Sequence, residues 1–364
     1  MKFSGFIKYG VSYFRRYQFQ WVMIIAISWT FIDYLWLHFF QSLGGSSDEH
    51  IAFHTIRGLL LRSSIVFIMS SLMGYILIFQ LRQVFRDNSL LISIFMKTCI
   101  LLVASLFLNF LLHFTYSIFT LHYSVIYSIE FFFGRANSFR WVLHHSIGWI
   151  ILFLFTQLAI DFYEKYSPGV FWDIMMGRYI GPKSQKRIVM FLDLKDSTPT
   201  AERLDSRKYF SFIRDFIYYI SVALLEYHGR IYQYVGDEIV VSWKYSAENR
   251  INCINALVLA TDIIKRNRRY FLRKYGVVPE FKVGIHTGEV TVGEIGIIKK
   301  DIAMSGDIMN TAARIRTACT EFNHVYLASK DFIDGMEFGL IPESIGEVDL
   351  KGKSERIELY ALHI

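Results

Sequence analysis

The chain has only three cysteines among 364 residues, Cys99, Cys253 and Cys319. They are isolated and form no CxxC pair, so neither a disulfide framework nor a cysteine-based zinc site is supported. No internal repeat or low-complexity tract is present. A cleaved signal peptide is not expected, because the first apolar run is too long and lacks a small-residue cleavage signature. His286 has no serine or cysteine nucleophile signature beside it, and a structural place is the favoured reading for it.

What is abundant is apolar surface. Hydrophobic residues make up 53% and aromatics 17% of the chain, and mean hydropathy is +0.32, high for a soluble protein of this length. The excess lies before about residue 165; the rest reads as an ordinary charged domain, so a membrane half followed by a soluble half is expected. The formal charge of +7 does not point to nucleic acid. Lys2, Lys8, Arg15, Arg16, Arg82 and Arg86 flank apolar runs, a placement that fits the positive-inside bias of membrane proteins.

Four stretches, residues 21–40, 64–79, 98–117 and 141–160, are long enough to span a bilayer as helices. The basic residues put the start of the first span and the second loop on the cytoplasmic side, with Arg57, Arg62, Arg135 and Arg140 blurring the rule. Four spans then return the chain to the cytoplasm, giving a multi-pass protein of the cell (inner) membrane in contact with membrane lipid. Between the last two spans, Phe131-Phe132-Phe133 suits the interface, and Lys97 is expected to snorkel to the inner surface. Asp33, His113, His144 and His145 are the ionisable candidates for an input. Interhelical hydrogen bonding with interfacial histidines is favoured over a ligand, proton or metal sensor.

Residues 1–160 are thus read as a four-helix transmembrane domain and 161–186 as a juxtamembrane linker, either transducer or passive tether. From 187 to 364, periodicity predicts strands at 187–192, 281–286, 289–294, 324–327, 343–349 and 356–362, a hairpin over 230–243, and helices near 206–227, 248–271 and 308–318. That order is an α+β fold, one layer of helices on a largely antiparallel sheet, as in ferredoxin-like palms.

Two aspartates in this half carry chemistry. Asp193 follows an apolar strand in Phe191-Leu-Asp-Leu-Lys-Asp-Ser-Thr198, and Asp237 occupies a Gly-Asp turn in Tyr234-Val-Gly-Asp-Glu-Ile-Val-Val241. Carboxylates at a strand end and a hairpin tip can converge on one hard cation, while a helix start at Ser197 and Thr198 offers N–H groups to phosphate. Each alone reads as a cap or a turn; together they suit the paired ions of phosphoryl or nucleotidyl transfer. Asp196 is a candidate cap for the next helix, and Glu238 is expected to turn away from the ions. The glycines of Gly284-Ile-His-Thr-Gly288-Glu-Val-Thr-Val-Gly293 permit a tight strand connection and close backbone approach. Asn310 and Arg314 share one helix face at i, i+4, an amide suited to a ribose and a guanidinium suited to phosphoryl charge. Lys351 sits in a tight turn, where a lysine can meet a terminal phosphate.

In order and spacing, FLDLKDST, YVGDEIVV, GIHTGEV, SGDIMNTAARI and LKGK make residues of about 186–363 resemble the catalytic domain of class III adenylate/guanylate cyclases. The resemblance implies attack of a ribose 3′-hydroxyl on the α-phosphorus of a nucleoside triphosphate, with release of pyrophosphate. It implies two Mg²⁺ or Mn²⁺ per active site on Asp193, Asp237 and the backbone of Leu194. Asn310 would position the ribose, Arg314 stabilise the transition state, and Lys351 bind terminal phosphates, with Lys299 and Lys300 as looser phosphate candidates. It further implies a homodimer, each site drawing on both copies.

The purine pocket departs from the family pattern. Gln233 stands where adenylate cyclases usually carry lysine, and Ala303 where they carry Asp or Thr. A glutamine amide can read either purine. ATP is favoured and GTP is the alternative, as is a catalytically weak cyclase-like sensor. Diguanylate cyclases share the palm and a hairpin echoed by Val235-Gly-Asp-Glu-Ile239, but Asn310, Arg314 and Lys351 argue against that reading.

Overall fold

A computed structural model describes residues 12–42, 56–81, 84, 89–119, 121–163, 173–174, 176–298, 301–336, 342–349 and 356–364. The chain divides into two compact units, one of Arg15–Lys165 and one holding Tyr166–Ile364.

The first unit is helical: α1 (Ser12–Ser42), α2 (Ile56–Tyr75) continued by a π-helical turn over Ile76–Leu81, α3 (Leu90–Phe119), α4 (Val125–Ala136) and α5 (Phe139–Tyr163). Its core joins Ile25 and Trp29 of α1 to Val66 and Met69 of α2, Leu101 and Leu108 of α3, and Trp149 and Phe153 of α5. Trp29 Nε1 donates to Thr156 Oγ1 at 2.9 Å, satisfying a polar group inside an apolar interior. Among the described residues, three helical stretches are long and apolar enough to cross a membrane: Gln18–His38, Ile56–Leu81 and Leu91–Phe119. The fourth expected span falls in α5, whose described apolar stretch, Ser146–Asp161, is shorter than a span.

Arg62, read from sequence as a loop residue, lies within α2. Its Nη2 and Nε donate to the two carboxylate oxygens of Asp33 at 2.7 and 2.8 Å, tying α2 to α1. His113 Nδ1 lies 3.1 Å from the backbone oxygen of Asn109, one turn before it. The side chains of His144 and His145 lie outside the described residues. Lys97, expected at the inner surface, is buried. The 131–133 phenylalanines fall on α4, with Phe132 buried and Phe133 exposed.

The second unit is built on one eight-stranded sheet. Its elements are β1 (Lys183–Leu194), α6 (Ser197–Arg203), α7 (Ser206–Glu226), β2 (Arg230–Val235), β3 (Glu238–Lys244), α8 (Ala247–Arg266), α9 (Arg268–Tyr275), β4 (Phe281–Ile295), β5 (Asp301–Ser305), α10 (Asp307–Glu321), β6 (Tyr326–Ser329), α11 (Lys330–Ile333), β7 (Glu343–Val348) and β8 (Ile357–Ala361). Strands run in the order β2-β3-β1-β4-β6-β8-β7, with β5 paired to β4. Of these pairs only β4–β6 is parallel. The connector reaches the sheet through Asp173, whose carboxylate accepts from Arg230 Nη1 at the start of β2, 2.8 Å, and from Arg178 Nη1, 2.7 Å. The connector's Ser167-Pro168-Gly169 lies outside the described residues.

Alternation along β1 sorts its side chains to two buried faces. Ile188, Met190 and Leu192 pack with Phe212, Phe216 and Ile220 of α7 and Leu257 of α8. Val189 and Phe191 pack on the other side with Ile308 and Ala312 of α10. The expected single helical layer is therefore corrected: α10 covers the second face. The helix expected over 248–271 is two helices meeting at Asn267, whose side-chain amide donates to Ile263 O at 2.8 Å.

The two strands expected on either side of Gly288 are one continuous strand, β4. Gly284 serves close helix packing instead of a turn. A Cβ at Gly284 would collide with the backbone nitrogen of Arg316 and lie 2.6 Å from Ala312 O. Only glycine lets α10 lie this close to the sheet.

Candidate active site

β1 ends and the β2–β3 hairpin turns at the same edge of the sheet. Leu192 pairs with Ile239 and Val235 with Glu238, leaving Gly236 and Asp237 as a two-residue turn. Gly236 has φ +64°, a backbone state that suits glycine at the first position of such a turn. Continuing the β1–β3 register by one residue sets Asp193 beside Glu238, on the face that α10 covers.

Asp193 and Asp237 thus come together as expected. Burial raises the pKa of Asp193, and Asp237 adds to that effect, against the pull of Arg316 and Lys282 and a hydrogen bond from the Leu194 backbone. One oxygen of Asp237, Oδ2, is buried without a hydrogen-bond partner among the described residues. A buried carboxylate oxygen left unpaired carries a full desolvation cost. Ser197 opens α6 and bonds to the Tyr209 hydroxyl, whose pKa is raised by burial and by the charges of Asp237 and Asp193. Thr198 is exposed beside it. Asp196 precedes α6 with φ 54° but makes no side-chain cap hydrogen bond, so its capping role is corrected.

Glu238 is also corrected. Arg316 Nη2 donates to Glu238 Oε2 at 2.6 Å while its Nη1 donates to Asp193 Oδ2 at 3.1 Å. Glu238 is therefore tied through Arg316 to Asp193 rather than turned away from it. Burial, with the charges of Asp193 and Asp237, raises its pKa against the pull of Arg316. Arg316 was not a sequence candidate. The available signal was its position four residues after Ala312, at the edge of the helix's buried stripe, where a charge needs a partner.

Asn310 is exposed in the first turn of α10 and Arg314 is half-buried. Neither bonds to Asp193 or Asp237, and among the described residues neither side chain has a hydrogen-bond or ion-pair partner in its own chain. Gln233 is exposed on β2, and Ala303 is half-buried on β5 opposite Gly293. Met304 N donates to Tyr232 Oη at 3.0 Å, which joins the neighbours of these two positions. Lys299, Lys300 and Lys351 lie outside the described residues. His286 is buried, its Nδ1 2.7 Å from Ser329 Oγ.

Two carboxylates and a backbone segment form a hard oxygen set that fits Mg²⁺ or Mn²⁺. Among the described residues no group of three or more His, Cys, Asp or Glu is arranged to hold a metal. Asp193 and Asp237 with a backbone oxygen fall below that number, and the orphaned Asp237 Oδ2 supports the fit.

Residues 182–364 match the family described as the adenylate and guanylate cyclase catalytic domain. The chain belongs to that family. It is 30% identical over 202 residues to Adenylate cyclase 2 of Rhizobium meliloti (strain 1021), covering 55% of this chain and 56% of that protein. It is 26% identical over 221 residues to an adenylate cyclase of Anabaena cylindrica, covering 56% of this chain and 43% of that one. The chain thus spans about half the length of these relatives. A bacterial light-regulated adenylyl cyclase structure shares the fold with a TM-score of 0.52 at 17% identity, over 58% of this chain and 62% of that one. The cyclase catalytic domain and its fold are therefore established for the second unit.

Proposed function

We propose that the chain is a membrane-anchored adenylate cyclase that converts ATP to 3′,5′-cyclic AMP and pyrophosphate in a homodimer. The observation that carries this reading is Asp237 Oδ2, a buried, unpartnered carboxylate oxygen beside Asp193 in a family domain. Asp193, Asp237 and the backbone of Leu194 would hold two Mg²⁺ or Mn²⁺. When bound, such ions supply activation of the ribose 3′-hydroxyl and screening of the triphosphate.

The remaining work falls to side chains. Asn310 orients the ribose so that O3′ faces the α-phosphorus, and Arg314 stabilises charge gathering on the phosphoryl oxygens. Ser197 and Thr198 at the start of α6 face the triphosphate, and Lys351 binds its terminal phosphates, with Lys299 and Lys300 nearby in role. O3′ forms the new bond to phosphorus as the bridge to pyrophosphate breaks. That Asn310 and Arg314 lack partners among the described residues of their own chain supports their serving a second copy. The tip of the β4–β5 hairpin supports a second copy too, since Ile297 and Ile298 are 94% and 101% exposed.

ATP is the favoured substrate because the two relatives above are adenylate cyclases. Gln233 and Ala303 keep GTP as the second reading, since the amide accepts either purine and the alanine bonds neither. We read four spans in the inner membrane, with α5 as the last and the cyclase domain in the cytoplasm; the three long apolar helices and the basic flanks support this reading. The test is direct: purified full chain in detergent, given ATP or GTP with Mg²⁺ or Mn²⁺, is expected to release cyclic AMP from ATP in preference to cyclic GMP from GTP. A folded dimer that makes no cyclic nucleotide from either substrate overturns the reading.

A further inference from the structure

Helix α10 carries two arginines with different commitments. Arg314 has no bonding partner in its own chain among the described residues, whereas Arg316 is bound twice. Two residues apart, they differ by about 200° around the helix. Ala312 and Ile315 beside Arg316 are fully buried, and Gly284 lets the Arg316 backbone down onto β4. The guanidinium therefore reaches the end of β1 and the start of β3. There it forks between Asp193 Oδ2 and Glu238 Oε2.

The two bonds act in opposite senses on a divalent cation. The bond to Asp193 occupies an oxygen that a cation would use and sets a positive charge beside it. The bond to Glu238, the shorter at 2.6 Å against 3.1 Å, draws the same charge aside. Asp237 Oδ2 stays open throughout. We propose that Arg316 sets the cation affinity of the Asp193/Asp237 pair by competing for Asp193, and that Glu238 acts through Arg316 by pulling it off. Arg316 and Glu238 are positioning residues in this scheme. It rests on the metal reading given above and goes beyond it by assigning a built-in competitor.

The test is Mn²⁺ binding to the full chain in detergent, followed by the paramagnetic signal of free Mn²⁺, with thermal melts to confirm folding. Arg316→Gln is expected to tighten binding roughly tenfold by removing a neighbouring positive charge. Arg316→Lys keeps the charge and is expected to stay near the wild-type affinity. Glu238→Gln is expected to weaken binding roughly tenfold, because the guanidinium then belongs to Asp193 alone. In the Arg316→Gln background that weakening is expected to vanish, whereas a Glu238 that itself ligates the ion would keep its effect. Binding that is unchanged or weaker in a folded Arg316→Gln chain overturns the proposal, as does a Glu238 effect that persists in that background. Should wild-type chain fail to bind Mn²⁺, or bind it regardless of Asp237→Asn, the metal reading falls and the proposal with it. Binding lost in Asp237→Asn but unmoved by Arg316→Gln rejects the proposal alone.

Discussion

Each unit places an aspartate against an arginine, and the two sites differ in what they leave over. In the helical unit Asp33 gives both oxygens to Arg62 at 2.7 and 2.8 Å, with side chains 8% and 18% exposed. In the cyclase unit Arg316 is split between Asp193 and Glu238, and Asp237 Oδ2 has no hydrogen-bond partner among the described residues. The first arrangement is closed: both carboxylate oxygens accept from one guanidinium, so its natural effect is to join α1 to α2. The second is open, and its unpaired oxygen is stabilised only when something positive arrives. For Asp33 this contrast favours interhelical bonding over sensing.

The comparison breaks most visibly at the open site. Asp237→Asn is expected to lower cyclic nucleotide production by roughly a hundredfold or more while the domain stays folded. Asp33→Asn should leave turnover per folded molecule within about twofold, since both Asp33 oxygens are already bonded to Arg62 within the helical unit. Chromatography of products from both variants, normalised to folded protein, checks the two together. A regulated or activity-dead Asp33→Asn would reopen the sensor reading.

At the closed site the effect belongs on stability instead. Removing one partner by Asp33→Asn is expected to cost about 1–3 kcal/mol, and Asp33→Leu with Arg62→Leu to recover most of it. Denaturation of the detergent-solubilised chain measures this.

The cyclase unit also has a closed carboxylate, which sharpens the rule by pH. Asp215 Oδ2 accepts from Tyr270 Oη at 2.7 Å, Lys274 Nζ at 2.8 Å and Tyr275 Oη at 2.6 Å. Burial by itself would raise its pKa, but the bonds from Lys274, Tyr275 and Tyr270 outweigh it and hold the carboxyl below its usual value of 3.8. A depressed folded pKa means stability is present above the unfolded value and is lost as pH falls through the folded one. Asp215→Asn should therefore cost about 1–2 kcal/mol at neutral pH. Its gap to wild type should narrow as pH drops below 3.8, as read from melts across pH.

The smallest expected change lies at the base pocket, away from both carboxylate sites. Gln233→Lys combined with Ala303→Asp should raise the preference for ATP over GTP by about fivefold, through hydrogen bonds that Ala303 does not provide. Competition assays with both nucleotides decide it.

Strongly periodic elements of the second unit were readable from the sequence. β1, α7, the β2–β3 hairpin and α10 lie within a few residues of where alternation and helical spacing put them. So were Asp193 and Asp237, because a strand end and a hairpin turn are both local signals. At Gly284 the expected close backbone approach is met, by α10, whereas the expected strand connection is replaced by continuous strand, since a glycine that admits a helix looks locally like one that makes a turn. Arg62 misled for a related reason: a charge inside an apolar helix is tolerated once Asp33 answers it, and that answer comes from 29 residues away. Arg316 was unreadable in role because its partners, Asp193 and Glu238, are 123 and 78 residues distant in the chain. Which strand end a helix reaches is set by packing, not by spacing.

The central claim, that the open carboxylates of one copy work with Asn310 and Arg314 of another, has one direct measurement. Asp193→Ala and Arg314→Ala chains, each nearly inactive alone, are co-purified as verified heterodimers and assayed for cyclic AMP. Activity is expected to recover, because one of the two shared sites is then intact. Heterodimers as inactive as their parents would contradict it.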